Sequence, residues 1–200
     1  MKKQNLTISS LYKENESYKD CVLCPRECHV NRLQGAKGVC AMDATIRVAR
    51  AALHYWEEPC ISGTNGSGAV FFSGCAMHCV FCQNEPIAQG ESGIAISRER
   101  LAEIFLELQE QKANNINLVT PGQYVPDIIV AVEEARRQGL HIPIVYNTSA
   151  YEKVDTLKML EGIVDIYLHD FKYMDMQTAG KYSHAPDYPS VAKDAIAEMV

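Results

Sequence analysis

The chain has 200 residues, of which 47% are apolar, and a formal net charge of −6 at pH 7. This length suits one sizeable core with a small appendage, and an acidic chain without a long run of Lys or Arg is not expected to bind nucleic acid. No stretch reaches the about eighteen uninterrupted apolar residues of a membrane span, and residues 1–19 lack the apolar segment of a secretion signal, so we expect no membrane partner and a cytoplasmic location.

Residues 1–68 are expected to form a Cys-rich N-terminal segment, loop-rich from residue 20 and ordered by metal rather than by a core. Eight cysteines in a chain without a secretion signal favour metal ligands or catalytic thiols over disulfides. Four of them could close a metal site completely, and their spacing fits either structural zinc or a second iron-sulfur cluster. Four packed thiols without metal are less favoured, because little else would order this segment. These residues are Cys21, Cys24, Cys28 and Cys40.

Cys60 has no partner at ligand spacing, so we expect a small buried residue there.

From residue 69 to residue 200 short apolar runs alternate with segments of helical spacing, which predicts βα units. Four such units would make parallel strands with right-handed crossovers, either in an open doubly wound sheet or in part of a barrel. No Gly, Asn or Pro ends the last helix before Val200, so we expect the polypeptide to continue. The predicted strands are 69–73, 116–120, 143–146 and 163–168, and the predicted helices are 98–112, 126–138, 152–161, 175–182 and 190–200.

The strongest motif follows the first predicted strand, where the sequence CAMHCVFC contains Cys75, Cys79 and Cys82. Three thiolates are one fewer than a closed tetrahedral zinc or cubane site needs, so one metal position is left for another ligand. The alternative is a structural zinc site completed by His78 or another cysteine. It is less favoured, because zinc ligands usually come in two halves with short gaps.

This spacing, with an aromatic residue just before the last cysteine, resembles the cluster loop of radical S-adenosylmethionine enzymes. The resemblance implies that Cys75, Cys79 and Cys82 hold a 4Fe-4S cluster whose fourth iron is chelated by S-adenosylmethionine, and that Phe81 lies against its adenine. It also implies a partial barrel of the radical SAM type, of which about four βα units fit into residues 69–200. The activity implied is reductive cleavage of the cofactor to a 5′-deoxyadenosyl radical, which abstracts hydrogen.

Polar residues follow the other predicted strands, where βα folds place their sites, so we expect them at the same rim as the cysteines. Thr120 and Asn147 are two of them. Asp170 and Lys172 resemble the DxK motif of pyruvate formate-lyase activating enzymes, in which the lysine contacts the cofactor and the aspartate helps to order the site. From the residues alone, a solvated pair of charges is the alternative.

Two positions depart from that family. The turn at residues 120–123 reads Thr-Pro-Gly-Gln instead of the Gly-Gly-Glu that binds the methionine amino group, and Asn147 stands where these enzymes often have aspartate. The stretches 63–84, 117–121 and 164–172 look most like a bacterial and archaeal group of activating-enzyme homologues of unsettled substrate.

The leading hypothesis is therefore a radical S-adenosylmethionine enzyme similar to glycyl-radical activases. Flavodoxin or ferredoxin is the expected type of electron donor, and a glycyl-radical enzyme is a candidate protein substrate. Radical modification of a peptide or small metabolite is an alternative within the same chemistry, because the late barrel strands that usually shape substrate pockets are not in this chain. A non-catalytic iron-sulfur or zinc protein is the alternative of another class.

Overall fold

A computed structural model of the protein describes residues 16–56 and 58–200, and the predicted polar leader lies largely outside them. The described chain contains a six-stranded mixed sheet. Its strands are β1 (Arg47–His54), β2 (Ser67–Phe72), β3 (Ile94–Ala95), β4 (Ile116–Val119), β5 (Ile144–Thr148) and β6 (Ile166–His169). Their order in the sheet is β3-β1-β2-β4-β5-β6.

The predicted parallel strands are confirmed as β2, β4, β5 and β6, which pair in parallel in chain order. β2 and β4 are buried over most of their length, which explains the continuous apolar runs in their sequences. The last strand begins at Ile166, three residues later than predicted, because the backbone N–H groups of Ile163 and Val164 bond to the Leu160 carbonyl in the preceding turn.

Two antiparallel strands were not predicted. β1 pairs with β2 on one side and with the short β3 on the other. The expectation of a loop-rich segment is therefore wrong for residues 47–54. Val48 belongs to the buried core, whereas Arg50 is exposed, so β1 covers the edge of β2 with only part of its length buried.

Helices pack against the sheet and bury apolar side chains, including Leu101, Phe105 and Ile128, against the strands. Ser97 is the N-cap of the helix that begins at Arg98, since its side chain accepts a hydrogen bond from the Arg100 N–H. The helix predicted at 152–161 is shorter, and Cys60 is exposed rather than buried. The helices are α1 (Glu16–Lys19), α2 (Pro59–Ser62), α3 (Glu85–Ala88), α4 (Arg98–Glu110), α5 (Val125–Arg137), α6 (Val154–Lys158), α7 (Met176–Ser183) and α8 (Tyr188–Met199).

None of the helices in the described ranges is long and apolar enough to cross a membrane.

Candidate functional site

A cavity of about 650 Å³ lies where β2, β4, β5 and β6 end. Its volume is in the range of small-molecule and cofactor sites. The residues predicted from the three-cysteine motif and from the strand ends all line this one cavity. They are Cys75, Cys79, Cys82, Phe81, Thr120, Asn147, Asp170 and Lys172.

The three-cysteine loop, residues 75–82, starts at a position that only glycine fills. Gly74 has a φ of +90°, and a Cβ built there would lie 2.5 Å from the Cys40 carbonyl oxygen and 2.3 Å from Cγ of Met42. The chain can therefore leave β2 and turn into the loop only without a side chain at this residue. The same contact brings the main chain of Cys40 next to the start of the loop.

Hydrogen bonds to sulfur orient two of the three thiols in this loop. The Met77 N–H lies 3.4 Å from Sγ of Cys75, and the Ser183 hydroxyl donates to Sγ of Cys79 at 2.9 Å. N–H and O–H groups that point at sulfur stabilise a thiolate more than a thiol. Their positions thus suit cysteines that bind metal.

The electrostatic surroundings of Cys75 are those of a buried thiol among other thiols. Burial raises the pKa of Cys75, and nearby Cys79 and Cys82 raise it further, while N–H groups of the loop lower it. In the chain outside residues 1–15 and Glu57, no three His, Cys, Asp or Glu side chains converge closely enough to hold a metal ion. The predicted ligands thus share a cavity without converging on one point.

The turn after β4 is fixed to the start of the three-cysteine loop by Gln123. Its side-chain amide lies 2.9 Å and 3.1 Å from the carbonyl oxygens of Ser73 and Gly74, and 2.9 Å from that of Thr120. Thr120 itself has a left-handed φ of +54°, and its N–H bonds to the Asn147 carbonyl at the end of β5. These contacts hold the ends of three strands together at the cavity.

The end of β6 carries an ion pair, because Nζ of Lys172 lies 2.7 Å from the Asp170 carboxylate. The Tyr188 hydroxyl fixes this segment: it accepts from the Lys172 N–H and lies 2.7 Å and 2.9 Å from the carbonyl oxygens of Ser149 and Asp170. No motif marks Tyr188, so its role could not be inferred from the sequence. In the structure it ties β5 and β6 together beside the cavity.

Phe81 is 56% exposed at the cavity wall, and its ring meets the edge of Tyr173 at a centroid distance of 6.3 Å. One face of an exposed aromatic ring is thus available for stacking with a planar ligand.

The N-terminal cysteine set, Cys21, Cys24, Cys28 and Cys40, lies against the same region. Cys24 and Cys40 line the cavity. The sulfurs of Cys28 and Cys40 both lie within 4 Å of the point where a Cβ on Gly38 would be, so glycine leaves room for two thiols. Burial raises the pKa of Cys24 to about 12, and Cys40 and Cys21 contribute to the rise. Such a thiol stays protonated at neutral pH unless a metal displaces its proton.

Arg26, between two cysteines of the N-terminal set, holds the three-cysteine loop. Its guanidinium donates to the carbonyl oxygens of Ala76, Ser183 and His184 at 2.9, 3.0 and 2.5 Å, and it lies over the Tyr151 ring. Arginine donors are suited to binding several carbonyls at once. Sequence reasoning missed this residue, since an arginine beside cysteines is not a signal by itself.

Glu152 is a second residue that the sequence analysis missed. It is 6% exposed, lines the cavity and accepts a 2.6 Å hydrogen bond from the Thr148 hydroxyl. Burial raises the pKa of Glu152 to about 7, although the Thr148 and Tyr146 hydroxyls oppose the rise. Strongly perturbed carboxyls in a cavity are typical of functional sites.

The family model of the Radical SAM superfamily matches residues 69–198 of this chain. An uncharacterized protein of Methanocaldococcus jannaschii is 27% identical over 198 residues, which cover 96% of this chain and 56% of that protein. The chain thus spans little more than half the length of this relative.

Proposed function

Because the chain belongs to the radical SAM superfamily, we propose that its cavity binds a 4Fe-4S cluster through Cys75, Cys79 and Cys82 and binds S-adenosylmethionine beside it. The observation that carries the proposal is that these three thiols line the same cavity as Asp170 and Lys172, from the end of another strand. With both groups bound, the cluster would supply one electron to cleave the sulfonium, and the resulting 5′-deoxyadenosyl radical would abstract hydrogen from the substrate.

The donor set fits the cofactor pair. Three thiols leave one iron for a ligand that is not cysteine. Lys172 offers a cation to a carboxylate group, Asn147 and Thr120 offer polar groups at neighbouring strand ends, and Phe81 offers an exposed ring to adenine. The residues of the chain thus bind and orient the ligand, while the cofactors carry the redox chemistry.

The strand order supports a partial barrel of the radical SAM type. A doubly wound sheet reverses its strand order at a switch point, which is where its ligand binds. Here β2, β4, β5 and β6 follow one another without reversal, and the cavity lies at their carboxyl ends. This arrangement is typical of one arc of a βα barrel.

A second metal, zinc or iron-sulfur, is proposed for Cys21, Cys24, Cys28 and Cys40. Two features support it: Sγ of Cys28 accepts a hydrogen bond from the Val39 N–H at 3.3 Å, and two of the thiols face the cavity. An iron-sulfur cluster here could relay electrons from a flavodoxin or ferredoxin.

The substrate proposed is a glycyl-radical enzyme, as for the activases that the Asp170-Lys172 motif resembles. The open side of the cavity supports a large substrate, since Trp56 lines it and is 92% exposed. A protein substrate that closed over the cavity would cover this ring.

The test is anaerobic reconstitution of the chain, followed by electron paramagnetic resonance of the reduced protein with and without S-adenosylmethionine. We expect a cluster signal that changes when S-adenosylmethionine is added, and reductive formation of 5′-deoxyadenosine. Cys79→Ala should abolish both, while Cys60→Ala, which removes an exposed thiol outside the cavity, should abolish neither. A protein that binds zinc alone, or clusters that ignore S-adenosylmethionine, would refute the proposal.

A further inference from the structure

Glu152 has a buried carboxylate oxygen without a formed hydrogen bond in the described chain, although the Tyr146 hydroxyl lies near enough to interact with the carboxyl. Its Oε1 accepts from the Thr148 hydroxyl at 2.6 Å, whereas Oε2 is inaccessible to solvent and has no hydrogen-bond partner in the described ranges. Buried carboxylates are normally paired with a cation or with several donors, because an unpaired one has lost its hydration without replacement. This oxygen therefore has the properties of an acceptor for a ligand.

No cation of the described residues compensates this carboxyl. Among the residues that the structure describes, two acidic side chains line the cavity, Asp170 and Glu152. Asp170 is paired with Lys172 at 2.7 Å, and Glu152 forms no ion pair with a described Lys, Arg or His. A cationic or strongly polarised N–H group that enters the cavity beside Glu152 thus meets a carboxyl whose polar neighbours are the Thr148 and Tyr146 hydroxyls, and not a cation.

The carboxyl of Glu152 lies against the turn after β4. A Cβ on Gly122 would be 2.9 Å from Oε2 and 3.1 Å from Oε1, so glycine at this position leaves the space that the carboxyl occupies. The polar side chain of the turn itself, Gln123, is committed to three backbone carbonyls. The turn therefore obtains its acidic group from the loop after β5.

We propose that the Glu152 carboxylate accepts a hydrogen bond from the amino group of S-adenosylmethionine. The inference rests on the proposed function and names the residue that recognises one end of the ligand. The methionine part of that ligand carries an amino group and a carboxylate, and the cavity has complementary groups at two strand ends: Glu152 beside β4 and β5, and Lys172 after β6. The ligand also has donors in the adenine amine and the ribose hydroxyls, but among its N–H and O–H groups the methionine amino group alone is cationic in the free ligand, so it forms the strongest hydrogen bond with a carboxylate.

The test compares three ligands on the reconstituted full chain. S-adenosylmethionine and S-adenosylhomocysteine contain the amino group, whereas 5′-methylthioadenosine lacks it together with the carboxylate. For Glu152→Gln we expect the dissociation constants of S-adenosylmethionine and S-adenosylhomocysteine to rise by about tenfold or more, because a charge-assisted hydrogen bond is lost. The dissociation constant of 5′-methylthioadenosine should stay within about twofold of wild type. Glu161→Gln, at an exposed position outside the cavity, is the matched control and should change none of them.

Gly122→Ala is an independent second variant. Its Cβ would displace the carboxyl of Glu152 without altering the charge, so it should weaken the same two ligands selectively. Iron and zinc contents should match wild type in both variants.

Three results would overturn the inference. An equal loss for all three ligands would indicate general damage to the cavity, and unchanged constants would remove Glu152 from recognition. Loss of metal with unchanged binding constants would make Glu152 a metal ligand beside Cys24. If the wild-type chain bound no S-adenosylmethionine at all, the proposed function itself would be refuted. Equal binding by wild type and Glu152→Gln would refute only the role of Glu152.

Discussion

Replacement of Glu152 by Gln should change how the stability of the chain depends on pH, in the absence of S-adenosylmethionine. The pKa of Glu152 rises from 4.5 to about 7 because the carboxyl is buried. Between these two pKa values the folded chain keeps a proton that the unfolded chain has lost. The free energy of unfolding is therefore highest below pH 4.5 and falls as the pH rises to about 7. A shift of this size corresponds to about 3 kcal/mol, the cost of holding the charged form inside the fold at pH 8.

Gln keeps the size of the side chain and an oxygen that can accept from Thr148, but it does not ionise. The free energy of unfolding of Glu152→Gln, minus that of wild type, should therefore rise by about 3 kcal/mol between about pH 4 and about pH 8. Urea unfolding over this range measures the difference, and the infrared band of a protonated carboxyl should disappear near pH 7 in wild type and be missing from the variant. Parallel stability curves, or a band lost already near pH 4.5, would refute the argument.

Three further substitutions test the contacts around the cavity. Arg26→Ala removes hydrogen bonds to three carbonyls and should lower the free energy of unfolding by about 1–3 kcal/mol; urea unfolding should show a smaller loss for Arg100→Ala, whose ion pairs are exposed. Tyr188→Phe keeps the ring but loses the hydroxyl between β5 and β6, which should cost about 1–3 kcal/mol in the same assay while iron content stays that of wild type. Gly74→Ala forces a Cβ to 2.5 Å from the Cys40 carbonyl oxygen, so the reconstituted variant should retain little iron, and a full iron complement would contradict the geometry.

Burial on both faces leaves a local pattern, which is why β2 and β4 could be predicted from the sequence. Val70 and Leu118 are fully buried and lie within unbroken apolar runs. β1 leaves no such pattern, since Arg47 and Arg50 interrupt it and its apolar residues are mostly alanine. Its place in the sheet is decided by pairing with β2, a contact that is not encoded in its own periodicity.

The cavity was predictable where its residues belong to a short motif or follow a strand directly. Cys79 and Lys172 are of this kind. Arg26 and Tyr188 are not, because they act through backbone carbonyls of residues that are distant in the chain, such as Ala76 for Arg26. Glu152 looks like any acidic residue before a helix, and only the burial created by the folded chain gives it an unusual pKa.

The two cysteine loops of this protein constrain one another. Arg26, from the N-terminal set, binds the carbonyl of Ala76 inside the three-cysteine loop, and His78 of that loop has a ring nitrogen 2.5 Å from the Val39 carbonyl oxygen, next to Cys40. Ordering either loop costs backbone entropy, and these contacts mean that part of this cost is shared. A metal that fixes one cysteine set would therefore reduce the backbone entropy that the other set loses when it binds its metal. The two sites would then be coupled through the backbone even if no electron passes between them.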